Sequence, residues 1–234
     1  MKDIDVIAVL QDPVRRRLYE YVAAQGREVG RNEAAEAAGV ARTLAAHHLD
    51  RLTEAGLLES GSRRLTGRSG PGAGRPAKVY TRARAERSVS LPARDYRTAA
   101  ELLAEAAELA GLDSGLCDAA RRRGEALRGS AAPCAGLAEA MVMLAERGYE
   151  PHLEGPEVAE GHEASEEAPE EVSGSVVRMR NCPFHAVAER FPPLVCGMNL
   201  ALLEGLLGTD GPVRARMDAR AGECCVVVEP SEGF

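Results

Sequence analysis

The chain has 234 residues, 45% hydrophobic and only 3% aromatic with no tryptophan, enough for two small cores built from Leu, Val, Ala and Met. Its formal charge of −7 hides an asymmetry: residues 1–97 carry 18 basic against 12 acidic side chains, and the remainder carries 11 against 24. A basic front and an acidic back predict two domains with different partners and exclude a uniformly acidic binding surface. The opening "MKDIDVIAVLQD" places acids where a signal peptide needs a basic start, and no segment approaches a membrane span, so a cytoplasmic chain with no membrane partner is expected. In a reducing compartment the six cysteines point to metal binding, redox chemistry or burial rather than structural disulfides.

In chain order, residues 5–24 carry Val6, Val9, Leu10, Val14, Leu18, Tyr21 and Val22 at helical spacing, with Asp12-Pro13 as the N-cap and first turn of a helix. A short helix in "RNEAAEAAGV" ends at Gly39. A third, "ARTLAAHHLDRLTEAGLLE", stops at Gly56, with Val40, Leu44, Leu49 and Leu52 expected inward and Leu57-Leu58 opening a strand. Helix, tight turn, helix lets one helix enter a major groove while its neighbour braces the backbone. The outward face should present Arg42, Thr43, Ala46, His47, Asp50 and Arg51. Arg42 and Thr43 are the leading base-edge or phosphate contacts, while His48 packs inward.

Strand-like segments at Leu57-Leu58 and Val79-Tyr80 then flank a loop dense in Gly, Pro and Arg. This reads as a β-hairpin wing offering Arg63, Arg64, Arg68, Arg75 and Lys78 to phosphates or a minor groove. Residues 1–90 are therefore expected to form a winged helix-turn-helix DNA-binding domain.

The stretches "LQDPVRRRLYEYV", "AAGVARTLAAHHLDRLTEAGLLE" and "GAGRPAKVY", within residues 5–82, resemble the winged-helix regulators of the ArsR-like superfamily. The resemblance implies that the third helix reads bases, that the hairpin contacts backbone, and that two copies bind DNA as a symmetric dimer.

Residues 91–130 read as a helical connector. Ala99, Leu102, Leu103, Ala106 and Leu109 form a stripe that must be buried against the rest of the chain or against a second copy; a homodimer is expected. Cys117 and Cys134 sit in helical contexts and are read as small buried hydrophobes.

Residues 131–234 read as a small α+β domain, which makes the whole chain α+β: a helix running into a strand, an acidic loop holding His162 and flanked by His152, a strand, two helical pieces broken at Pro192-Pro193, and a closing hairpin. Its chemistry lies in "RNCPFHAVAERFPPLVCGMN" and "GECCVVVE". Cys182 ends a strand, His185 and Cys196 fall near helix starts, where the positive end of the dipole favours thiolates, and Cys224-Cys225 open a strand. Strand alternation predicts that only one of Cys224 and Cys225 reaches a common site. Three thiolates and a fourth ligand suit an iron–sulfur cluster or tetrahedral zinc, although the spacing C-x2-H-x10-C-x27-C is neither a zinc-finger nor a ferredoxin signature.

Together with the front half, "RNCPFHAVA", "LVCGMNLALLEGLLG" and "CCVVVE" resemble the iron–sulfur-sensing repressors of the SUF cluster-assembly operon and their actinobacterial relatives. The resemblance implies a cluster on Cys182, Cys196 and Cys224. The family's remaining cysteine would fall near Gly208-Thr209, where this chain has none, leaving His185, Cys225 or an external ligand as the fourth. Zinc and a metal-free thiol switch are the alternatives. A thiol enzyme using Cys182 or Cys196 with His185 would lack an orienting third residue and would leave the front domain unexplained. No enzymatic activity is expected.

Overall fold

The computed structural model of the chain describes residues 3–63, 76–155 and 174–231. Two compact units divide between Arg94 and Asp95. Each has its own core, and the fold is α+β.

The first unit begins with α1 (Asp3–Ala8), a 3-10 turn (Val9–Gln11) and α2 (Pro13–Gln25). The Asp12 carboxylate accepts hydrogen bonds from the Val14 and Arg15 amides at 2.9 and 3.0 Å, and Pro13 takes the first helical position, as its missing N–H favours. The strand β1 (Val29–Gly30) leads into α3 (Arg31–Ala38), which ends at Gly39 in the left-handed region that glycine enters without strain. After a tight turn comes α4 (Arg42–Glu54), then β2 (Leu58–Arg63) and β3 (Ala77–Arg82), which pair antiparallel in the order β1-β3-β2. The hairpin register sets Ser60 opposite Tyr80 and Leu58 opposite Arg82. Leu18, Val22, Val29, Ala34, Leu49, Leu52, Leu58 and Tyr80 fill the core between the helices and this small sheet.

One inward position of α4 differs from the expectation. Leu44 is 42% exposed, and Ala45, His48, Leu49 and Leu52 face the core. Leu49 and Leu52 are inward as expected; Ala45 and His48 lie on their face at helical spacing, and Leu44 falls beside it.

The second unit opens with α5 (Tyr96–Leu109) and α6 (Asp113–Arg128), followed by α7 (Leu137–Ala145), β4 (Pro151–Glu154), β5 (Val176–Met179), α8 (His185–Ala188), α9 (Pro192–Leu207), β6 (Val213–Met217) and β7 (Val226–Pro230). The strands form an antiparallel sheet in the order β4-β5-β7-β6. α9 is apolar on nearly every face and is buried accordingly, packed between α6 and the sheet. It crosses α6 at glycines: a Cβ on Gly124 would lie 2.2 Å from the Leu202 carbonyl oxygen, and one on Gly205 would lie 2.2 Å from that of Arg121. Arg121 and Glu204 form an ion pair beside the crossing.

α5 turns Ala104 and Ala107 to the cluster of Phe191, Leu194 and Val195. Its Leu102, Leu103 and Leu109 stay exposed, Leu103 by 71% and Leu109 by 82%. Cys134 lies in the loop before α7 rather than in a helix; it is buried, and its thiol donates to the Gly136 carbonyl at 3.3 Å. The Pro-punctuated stretch before it breaks the helical pattern earlier than its apolar residues suggest.

Candidate nucleic-acid interface and thiol pocket

The DNA-facing candidates on the first unit sit on α4 and the hairpin. Arg42, Thr43 and His47 are exposed along one face of α4, with Arg42 and Thr43 in its first turn. Arg51 is also exposed and pairs with Glu54 at 2.9 Å. Arg63, at the end of β2, lies 3.4 Å from Glu28. Arg64, Arg68 and Arg75 lie outside the described residues, as does His162. A groove of about 1180 Å³ runs between α3 and the hairpin, with Arg27, Arg31, Arg42, Arg63 and Lys78 along its walls. Among the described residues Arg42 has no carboxylate partner, whereas Arg51 and Arg63 would have to exchange a carboxylate for a phosphate if they met DNA. Such an exchange would lower what each could contribute to affinity.

A brace that the sequence did not reveal joins α4 to the hairpin. The Asp50 carboxylate accepts hydrogen bonds from Lys78 Nζ at 2.7 Å and the Tyr80 hydroxyl at 2.8 Å, with Arg31 3.4 Å away. Arg31 Nε in turn donates to the Tyr80 oxygen at 2.9 Å. Burial favours the neutral form of Asp50, but the hydrogen bonds from Lys78 and Tyr80 outweigh it and hold the carboxyl below its usual range. Asp50 therefore turns toward β3 rather than outward with Arg42 and His47. A buried tyrosine must place its hydroxyl, and an acid one turn before the end of α4 is the partner within reach. His48 is buried below its neighbours, and burial pushes its imidazole below the ordinary value.

The second unit gathers four of the six thiols. Cys182 follows β5, Cys196 lies in the second turn of α9, and Cys224 and Cys225 immediately precede β7. The Cys224 amide donates to the Met179 carbonyl at 2.9 Å, and the Cys225 carbonyl accepts from the Asp218 amide at 2.7 Å, so both backbone positions are fixed by the sheet. Cys182 packs against the core cluster that contains Cys224, and Asn199 Nδ2 donates to the Cys224 sulfur at 3.4 Å. The Tyr149 hydroxyl donates to Asn199 Oδ1 at 2.5 Å, closing a buried chain of hydrogen bonds. Cys196 Sγ lies 2.9 Å from Cys225 Sγ.

Both members of the Cys224-Cys225 pair thus engage other thiols. They lie just before the regular strand, Cys224 within the core cluster and Cys225 outside it beside Cys196. The neighbouring Cys182 thiol holds Cys224 below the ordinary thiol value, while Cys224 and burial push Cys182 above it. Burial and the bond to Cys225 raise Cys196 to about 12.

His185 stands apart, 65% exposed, with Nε2 3.2 Å from Glu189 on the next turn. Cys117 projects from α6 toward Gly197 of α9 and belongs to neither thiol pair. In chemistry, four sulfur donors from three chain segments suit an iron–sulfur cluster or another soft metal. As the side chains stand they form two pairs, and among the described residues no three His, Cys, Asp or Glu side chains are grouped so as to hold a metal ion.

Asn199 and Tyr149 were absent from the sequence reading. The available signal was a lone amide in the apolar run "CGMNLALLEGLL", which must find buried partners.

Residues 10–61 match a family model described as a helix-turn-helix domain. The match spans α2 to β2, and with the β2–β3 hairpin it defines a winged helix-turn-helix unit, which supports a DNA-binding transcriptional regulator. No curated protein and no solved structure matches the chain significantly. Among the described residues no helix is long and apolar enough to cross a membrane.

Proposed function

We propose that the chain is a DNA-binding transcriptional regulator of the ArsR-like type, working as a homodimer, whose second unit reports redox or metal state through its thiol pocket. The supporting observation is that Cys182, Cys196, Cys224 and Cys225 stand as two pairs within one unit of a chain whose other unit is a winged helix. An iron–sulfur cluster is the proposed occupant, held by Cys182, Cys196 and Cys224, with Cys225 nearer to hand than His185 as a fourth ligand. Bound there, such a cluster would supply a redox- and oxygen-sensitive charge at the N-terminal part of α9. The protein's own contribution is positional. α9 carries Cys196 and Asn199, β5 leads to Cys182, and the sheet holds Cys224 and Cys225 by backbone hydrogen bonds.

Such a sensor alters transcription only to the extent that its ligand binds two forms of the regulator unequally. The exposed Leu102, Leu103 and Leu109 of α5 support the dimer, since an apolar stripe of this length is costly to leave in water. Two winged helices would then engage half-sites roughly 34 Å apart, or a multiple of that.

The test is anaerobic purification followed by an absorption spectrum with iron, sulfide and zinc analysis. Iron and sulfide with broad violet absorbance are expected. Colourless protein with zinc would replace the cluster by zinc, and neither would remove the metal from the account.

A further inference from the structure

The two thiol pairs differ in what surrounds them. Cys224 is buried in the sheet's core cluster, where Asn199 donates to its sulfur, Tyr149 fixes Asn199, and the half-buried Cys182 packs against the same cluster. Cys225 lies outside that cluster and is half-buried. Its sulfur lies 2.9 Å from that of Cys196, which is 7% exposed, so the pair joins a half-buried residue with a buried one. That separation exceeds a disulfide bond by about 0.9 Å. The two residues come from α9 and from the segment before β7, 29 positions apart, and both segments are tied to the body of the unit.

We propose that Cys196 and Cys225 are an oxidative modification site, at which a hydroperoxide converts the pair to a disulfide while Cys182 and Cys224 remain thiols. The Cys225 sulfur attacks the terminal peroxide oxygen. The O–O bond breaks, the leaving oxygen departs as water or alcohol with the proton from the thiol, and Cys225 becomes a sulfenic acid. The Cys196 sulfur then attacks that of Cys225. An S–S bond forms, the S–O bond breaks, and the hydroxyl leaves as water with the Cys196 proton. The two thiols lose two electrons, and the hydroperoxide gains them.

The inference rests on the pocket being the sensor described above, and it adds regulation to it. Cys196 is a proposed cluster ligand, so the disulfide and the loaded site exclude one another. An oxidised chain must be reduced by a thiol before it can be loaded.

The test uses the full chain, freed of metal, fully reduced, and treated with hydrogen peroxide in slight excess. Blocking with N-ethylmaleimide and mapping linked peptides by mass spectrometry should show two of the six thiols lost, recovered by dithiothreitol, in a cross-link that joins Cys196 to the peptide of Cys224-Cys225. The Cys225→Ser variant should lose the cross-link and leave Cys196 open to alkylation. Cys182→Ser and Cys117→Ser should keep it, which guards against a variant that merely misfolds. A cross-link through Cys182 or Cys224, or a sulfinic acid at Cys225 with Cys196 still alkylated, would overturn the assignment. Anaerobic reconstitution of reduced and oxidised aliquots separates the two claims. Disulfide formation without iron uptake by the reduced aliquot defeats the cluster and leaves the modification site standing. Iron uptake without the disulfide does the reverse, and equal uptake by both aliquots defeats their mutual exclusion.

Discussion

Replacing Gly124 by alanine tests how the thiol pocket is held. A Cβ there would stand 2.2 Å from the Leu202 carbonyl oxygen and 2.7 Å from the Leu206 amide, both backbone atoms of α9, so no rotamer change relieves the contact. α6 and α9 must separate by about 1 Å, a gap that forfeits a quarter to a half of the dispersion energy across each affected contact. Alanine recovers about 1 kcal/mol of helix propensity, against an overpacking cost of about 1–3 kcal/mol and the loss of packing beside it. The net expectation is a destabilisation of about 2 kcal/mol, or roughly 6–10 °C in the melting temperature of the second unit. Denaturant unfolding followed by far-UV dichroism measures it. Gly115→Ala on the same helix is the control: nothing lies within 4 Å of its Cβ, so it should be neutral or slightly stabilising. Since α9 carries Cys196, Gly124→Ala should also slow formation of the Cys196–Cys225 cross-link. A Gly124→Ala protein as stable as the parent would refute the close crossing.

Arg42→Ala or Thr43→Ala should relax sequence choice by about tenfold on a duplex selected from a random pool, whereas Arg63→Ala should weaken binding to all sequences and reduce the salt slope by about 1. Fluorescence anisotropy against salt reads both, and salt-independent binding would contradict the interface. Asp50→Ala removes the carboxylate shared by Lys78, Tyr80 and Arg31, and should lower the stability of the first unit by about 1 kcal/mol, screened because the group is partly exposed. Unchanged thermal unfolding would show that the brace is idle. Cys182→Ser and Cys196→Ser should each abolish bound iron while Cys117→Ser should not, and equal metal content in all three would remove the proposed ligands. Burial holds His48 below its ordinary value of 6.5, so its neutral form contributes fully above that pH and the contribution is lost as pH falls through the folded value. Melting of the first unit should therefore drop below about pH 6.5 less steeply in His48→Gln, and an identical slope would contradict the assignment.

The parts of this molecule legible in the sequence are those encoded locally. Asp12-Pro13, Gly39 and Gly56 mark helix ends through capping and left-handed backbone, and the structure ends or starts helices beside each of them. Leu44 misled because a helix rotates by 100° per residue: Ala45 and His48 lie on the face of Leu49 and Leu52, and Leu44 falls beside it. The Asp50 brace joins residues 28 and 30 positions apart, and no periodicity announces such a pairing.

In the second unit the thiols stood out by composition, but their division into Cys182 with Cys224 and Cys196 with Cys225 depends on the sheet register and the seat of α9. A signal for that seat was present and unread: Gly124 and Gly205 each interrupt a helix interior, as expected where two backbones approach closely.

The most direct test of the coupling between sensor and DNA is a pair of binding curves for one preparation, on one selected duplex, at one salt concentration. The anaerobically reconstituted protein is compared with the same protein after the cluster is removed and the thiols are kept reduced. The account predicts affinities that differ by about fivefold or more, the lower end of typical coupling free energies. Superimposable curves, with iron and sulfide verified in the first sample only, would contradict it.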